Sequence, residues 1–141
     1  MNGRVAVIRT NGRVRIQPGF APTLVLVGDD VSFRYLIQRY ATKSACQVVS
    51  VPLESDVTTA VRQAAPGIVL VELDFLDERA RGVLRALKAH PDTSEIPVIV
   101  CSWPQDPEWS LDEGAAIHMQ KPVLYDDFRA ALINVGVWPQ P

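Results

Sequence analysis

The 141-residue sequence lacks the features that mark several large protein classes. It has only two cysteines, Cys46 and Cys101, both in apolar runs and without CxxC or Cys/His ligand spacing. That excludes a disulfide framework and a thiolate metal site, and it reads both thiols as small buried hydrophobes of a reducing compartment, so a cytoplasmic location is expected. No window approaches the roughly 18 uninterrupted apolar residues of a membrane span, and the N-terminus has no apolar signal stretch, so neither a membrane partner nor export is expected. An excess of basic charge is also missing. The 14 Lys and Arg stand against 16 Asp and Glu, a formal net charge of -2, and direct nucleic-acid binding by the whole domain is therefore not expected. What the chain does have is 48% hydrophobic and 21% charged residues, the balance of a soluble globular protein that forms a core. At this length one compact domain is the expectation.

Charge and periodicity both change along the chain. Residues 1–20 carry Arg4, Arg9, Arg13 and Arg15 and no acid, which leaves 10 basic against 16 acidic groups in the other 121 residues. From Arg4 to Gln17, Val5, Val7, Val14 and Ile16 alternate with polar neighbours around Asn11-Gly12. Asn-Gly accommodates the two positive-φ positions of a type I′ turn, so this stretch reads as a β-hairpin. Pro18-Gly19 and Pro22 then mark a linker, which separates a hairpin extension at 1–22 from a main domain at 23–137 and a short tail at 138–141.

In the main domain, apolar runs alternate with helical stripes. The strand candidates are 24–27, 47–51, 68–71, 98–101 and a weaker 115–119, mostly continuous apolar runs suited to a sheet covered on both faces. Between and after them, Phe33, Leu36, Ile37 and Tyr40, then Val57, Ala60, Val61 and Ala64, then Ala80, Val83, Leu84 and Leu87, and finally Phe128, Ala131 and Leu132 keep helical spacing. Ser32 and Ser55 are the expected N-caps of the first two helices, Pro91 ends the third, and Pro104 and Pro107 leave room only for a short fourth. Five strands joined by helical crossovers predict an α/β, doubly wound, five-stranded parallel sheet. Functional groups in such sheets gather at the carboxyl ends of the strands. Here those ends carry Asp29-Asp30, Glu72 and Asp74, Ser102-Trp103, and Lys121-Pro122. Converging carboxylates repel unless a cation neutralises them, and an oxygen-rich cluster suits Mg²⁺. A lysine and a hydroxyl beside such an ion suit the oxygens of a phosphoryl group.

In this order the residues resemble a response-regulator receiver domain of two-component signalling, over nearly the whole chain after the hairpin. The resemblance rests on the acidic pair Asp29-Asp30, the run Ile96 to Ser102, Gly114-Ala115 and Lys121-Pro122. It implies the flavodoxin-like strand order 2-1-3-4-5, a cis Lys121-Pro122 bond, Mg²⁺ held by Asp29, Asp30 and Asp74, and a histidine kinase or other signalling protein as partner. It also implies that Ser102 and Lys121 contact the phosphoryl group and that output runs through the face of helix four, strand five and helix five.

Three positions depart from the pattern. Where the third strand should end in the phosphoaccepting aspartate, the chain has Glu72. Its carboxylate reaches about 1.5 Å further, one carbon–carbon bond, and in-line transfer depends on near-attack geometry. Trp103 follows Ser102 where a small residue is usual, and its indole is expected over the crevice. His118 replaces the usual switch aromatic, three residues before Lys121, and reads either as an ordinary hydrogen-bonded residue or as a pH-sensitive element of the output face. The expectation is a non-enzymatic, stand-alone receiver-like protein, degenerate at Glu72 and acting by protein–protein binding, with Mg²⁺ binding weak or lost. A permanently on-like state and an inert one both stay open, because one carboxylate only partly imitates a phosphoryl charge of about -2. The alternatives are a conventional Mg²⁺-dependent receiver accepting phosphoryl at Glu72 or Asp74, and a small Mg²⁺-dependent phosphatase-like enzyme, against which the lack of a second aspartate nucleophile motif speaks. Asp29 and Asp30 also suit a helix N-cap, Trp109 and Trp138 are candidate partner anchors, and pairing into a homodimer is compatible with the resemblance.

Overall fold

The computed structural model describes residues 7–10, 13–16, 22–74, 78–103 and 108–136. Strands β1 (Val7–Thr10) and β2 (Arg13–Ile16) form an antiparallel pair in which Val7 lies opposite Ile16 and Thr10 opposite Arg13. Two residues connect them, as the hairpin reading requires. Asn11-Gly12 itself, Arg4 and Pro18-Gly19 lie outside the described residues. The pair is a sheet of its own.

The main domain runs β3 (Thr23–Val27), α1 (Val31–Lys43), β4 (Gln47–Val51), α2 (Val57–Ala64), β5 (Ile68–Glu72), α3 (Glu78–Ala89), β6 (Val98–Ser102), α4 (Glu108–Asp112), β7 (Ile117–Gln120) and α5 (Tyr125–Asn134). Its sheet has the order β4-β3-β5-β6-β7, all parallel. Within the alternating part this is the order 2-1-3-4-5, the doubly wound arrangement expected from the sequence.

Side chains alternate across a strand, and the central strands use that alternation to build two cores. Val25, Val27, Val69, Val71, Val98 and Val100 pack with Val57 and Val61 of α2 and Ala80, Leu84 and Leu87 of α3. Leu24, Leu26, Ile68, Leu70 and Ile99 pack on the other side with Phe33 and Ile37 of α1 and Phe128, Ala131 and Leu132 of α5. Because both faces are covered, β3, β5 and β6 read as unbroken apolar runs. The outer strands β4 and β7 are the exceptions: Val49 of β4 remains exposed, and β7 carries His118 and Gln120.

Several local expectations change. The first helix is capped by Asp30, one of the two aspartates that also suited a cap, rather than by Ser32, and the second by Asp56 rather than by Ser55. Asp30 Oδ1 accepts the Phe33 N–H at 3.0 Å, and Asp56 Oδ1 accepts the Thr59 N–H at 3.1 Å. Ser32 lies within α1, while the Ser55 hydroxyl donates to the Pro52 carbonyl at 2.6 Å. A carboxylate is the stronger acceptor for the orphan amides of a first turn and also meets the helix dipole. β7 starts two residues later than expected, at Ile117, because the segment after Gly114 (φ 104°) is still completing the turn out of α4. Helix α3 ends before Pro91 and α4 has five residues, as expected. Trp109 is half-buried against the valine-side core with the Arg81 guanidinium 5.0 Å from its ring, so it packs within the fold. Trp138 lies outside the described residues.

Candidate functional site

At the carboxyl ends of the strands lies a cleft of about 360 Å³ lined by Asp29, Asp30, Leu53, Glu72, Asp74 and Arg79. Local structure places each group. Asp29 and Asp30 occupy the short connection from β3 to α1, Glu72 is the last residue of β5, and Asp74 follows two residues later. Lys121 follows β7, and its N–H donates to the Ser102 carbonyl at 2.8 Å, which pins it beside the end of β6. The Lys121-Pro122 bond is cis, as expected.

The centre of the site is an ion pair. The Lys121 ammonium donates to Glu72 Oε2, both side chains being 5% exposed, and it lies 3.4 Å from Oδ1 of the exposed Asp74. The rings of Phe33 and Trp103 flank the ammonium, with centroids 5.3 and 5.8 Å from Nζ. Trp103 is 47% exposed and lies beside the lysine, but it is not among the residues that line the cleft. Phe33 as a neighbour of Lys121 was not legible in the sequence, where it reads only as one member of a helical stripe.

Glu72 ends its strand where the sequence register places it. Val71 pairs with Val100 and Glu72 with Cys101, so the strand ends at Glu72, and Asp74 lies in the following loop. Of the three expected metal ligands, Asp30 and Asp74 meet Glu72, with one carboxylate oxygen from each within 4.8 Å of the others. Asp29 lines the same cleft, but its Oδ1 accepts the Leu53 N–H at 3.3 Å. The trio of hard oxygen donors suits a divalent cation such as Mg²⁺, although Lys121 already lies against two of the three. Asp30 therefore holds both of the places considered for it, as helix cap and as a member of the acidic cluster.

Ser102 faces elsewhere. Its hydroxyl is fully buried, lies 2.8 Å from His118 Nε2 and donates to the Trp103 carbonyl at 3.1 Å. The parallel register pairs Val100 with His118 and Ser102 with Gln120, which puts Ser102 and His118 on the valine-side face, diagonally across neighbouring strands. Burial lowers the pKa of His118 below its ordinary value of 6.5. The histidine is thus hydrogen-bonded and partly buried. Arg79, at the start of α3, also lines the cleft and donates to Glu54 Oε1 at 2.8 Å; no motif in the sequence singles it out.

On the far side of α3, Arg85 makes a forked pair with Glu113 at 2.8–3.1 Å, which ties the segment after α4 to α3. The Arg85 side chain holds the Glu113 carboxyl below its ordinary pKa. Cys101 is fully buried and Cys46 half-buried, both unbridged. Burial raises the pKa of both thiols, to about 12 for Cys46; Cys101 is the small buried hydrophobe expected, and Cys46 only partly so.

No protein-family model matches the chain, and no curated protein does. Solved structures do match. A putative response regulator from Chloroflexus aurantiacus is 15% identical, with 82% of this chain and 97% of that one covered at a TM-score of 0.72. The receiver domain of a sensor histidine kinase from Pseudomonas aeruginosa, solved with magnesium in its active-site cleft, is 20% identical, with 82% and 97% covered at 0.66. A putative pilus assembly-related protein from Burkholderia pseudomallei is 11% identical, with 94% and 97% covered at 0.68. The fold is that of receiver domains. The segment 22–136 makes up about 82% of the chain. A match over 94% exceeds it by more residues than follow Gly136, and so takes in part of the first 21 residues.

Proposed function

We propose that the chain is a receiver-like module of two-component, phosphorelay signalling that no longer accepts a phosphoryl group and acts by binding another protein. One observation carries this reading: the Lys121 ammonium is closed onto Glu72 in the interior. A receiver that captures a phosphoryl group needs its lysine and hydroxyl for the phosphoryl oxygens. Here the lysine is matched by a carboxylate of the same chain and the Ser102 hydroxyl by His118. Glu72 is thus at once the degenerate acceptor and a built-in partial substitute for the phosphorylated state.

On this reading residues 23–137 form the receiver-like domain, 1–22 a hairpin extension and 138–141 a tail. Mg²⁺, if bound, would be held by Asp30 and Asp74 with Glu72, weakly, because Lys121 competes for two of these carboxylates, and it would supply charge neutralisation for an incoming anion. Partners are a histidine kinase or another signalling protein met in the cytoplasm through the α4, β7 and α5 face, or a second copy of the chain. Neither turnover nor contact with nucleic acid or membrane is part of the proposal. The test is the intact mass after incubation with Mg²⁺ and a small-molecule phosphodonor. The wild type is expected to stay unmodified and Glu72→Asp to gain one phosphoryl group; a phosphorylated wild type would sink the reading.

The match that reaches into the N-terminal residues favours a second, narrower reading: a receiver-like part of a pilus-assembly system, since the protein so matched is described as pilus assembly-related. Co-purification of the tagged chain with pilus-assembly components of its own cell would support it, and recovery of signalling kinases alone would count against it.

A further inference from the structure

Glu72 has its place because its neighbour has no side chain. Gly28 follows β3, and its N–H donates to the Val51 carbonyl at 3.0 Å, which fixes its backbone between β3 and β4. A Cβ at position 28 would stand 2.6 Å from Glu72 Oε1, 3.1 Å from Glu72 Cβ and 3.1 Å from the Glu72 carbonyl oxygen. The last two contacts would meet an aspartate at this position equally. The first and closest is made by the glutamate carboxylate itself. While Oε2 is held by Lys121, Oε1 rests in the space that Gly28 leaves open.

We propose that Gly28 is the positioning residue that admits a glutamate at the acceptor position, and that Gly28 and Glu72 act as one unit. The bare backbone at 28 accommodates the extra methylene and so directs the other oxygen onto Lys121. A side chain at 28 would push the carboxylate out of line and open the Glu72–Lys121 pair. This rests on the reading of that pair as the closed state of the site, and it adds what holds the pair closed. Neither a glycine before an acidic pair nor a glutamate at a strand end reveals this coupling alone, because the two lie 44 positions apart in sequence and meet only through the β3–β5 pairing.

The experiment is a cycle of four proteins: wild type, Gly28→Ala, Glu72→Asp, and Gly28→Ala with Glu72→Asp. Two readouts are taken, the thermal midpoint and the extent to which Lys121 is acylated by a limiting amine reagent, read from peptide mass. Over-packing at a buried site lowers the midpoint of a domain this size by about 5 °C or more. Gly28→Ala is expected to do so in the wild-type background, but to lose less than half as much in the Glu72→Asp background. Any backbone cost of alanine at this φ, and the two shared contacts, are present in both backgrounds and cancel. Lys121 acylation is expected to rise several-fold in Gly28→Ala over wild type, and not to rise further when the same change is made in Glu72→Asp. Equal midpoint losses in both backgrounds, or Lys121 acylation unchanged by Gly28→Ala, would overturn the proposal. If Gly28→Ala alone fails to fold, folding of the double variant supports the coupling and its failure to fold refutes it. Phosphorylation of the wild type would remove the functional reading without touching this coupling, so the two fail separately.

Discussion

Replacing Lys121 by alanine leaves Glu72 as a carboxylate buried without its cation, and the size of the effect follows from the burial. Both side chains are 5% exposed, so the screening that reduces surface pairs to about 0–1 kcal/mol does not apply. Asp74, 64% exposed at 3.4 Å from Nζ, adds little for the opposite reason. Loss of one partner of a buried pair costs about 3–5 kcal/mol, which at 1.4 kcal/mol per tenfold is about a thousandfold in the folded-to-unfolded ratio. That is a large share of the roughly 5–15 kcal/mol that holds a domain together. Urea unfolding followed by far-ultraviolet circular dichroism measures it, with the slope checked for constancy so that midpoints compare directly. The double change Lys121→Met with Glu72→Leu is expected to recover most of the loss, since an apolar pair of similar volume often equals or exceeds a buried ion pair. A loss below about 1 kcal/mol for Lys121→Ala, or a double variant no more stable than the single one, would refute the picture of a closed, dehydrated pair.

Two further outcomes are expected. Burial holds the pKa of His118 below 6.5 in the folded state, so the unfolded chain takes up the proton more readily; the stability due to neutral His118 is present above pH 6.5 and is lost as pH falls from there through the lower folded-state value. His118→Gln should therefore flatten the decline in unfolding midpoint below pH 6.5, and an unchanged slope would contradict that. Ala65 closes α2 in the left-handed region at φ 46° and ψ 56°, where a side chain is strained, so Ala65→Gly should raise stability by about 0.5–1 kcal/mol in the same urea assay, whereas destabilisation would show that the alanine conformation costs nothing.

The strands were legible because their burial is written as composition. Ile68 to Val71 and Val98 to Cys101 lie under helices on both sides, and no polar residue interrupts them. The edge strand β4 and the late start of β7 were less legible, since the first depends on which strand lies outermost and the second on how many residues the turn after α4 consumes. The caps went to aspartates because several acceptors compete for one first turn, and charge decides between them only once the helix start is fixed. In the site, the placement of Glu72 and Lys121 followed from counting along two strands. The partnership of Ser102 with His118 required the β6–β7 register, and the space at Gly28 required the packing of β3 against β5. Neither register nor packing is printed in a single sequence.

The carboxylate at position 72 also sets the terms on which such a protein could carry information. A modifying group is delivered, persists for a lifetime and is removed, so its presence encodes a recent event. If Glu72 stands in for such a group, as proposed, it is tethered to the backbone beside its lysine at a fixed, very high local concentration, and no enzyme can dilute it or hydrolyse it away. What then varies is the number of copies of the chain. On the proposed reading, partner occupancy would follow abundance by mass action, and a response would rise with synthesis and decay only with turnover of the protein itself.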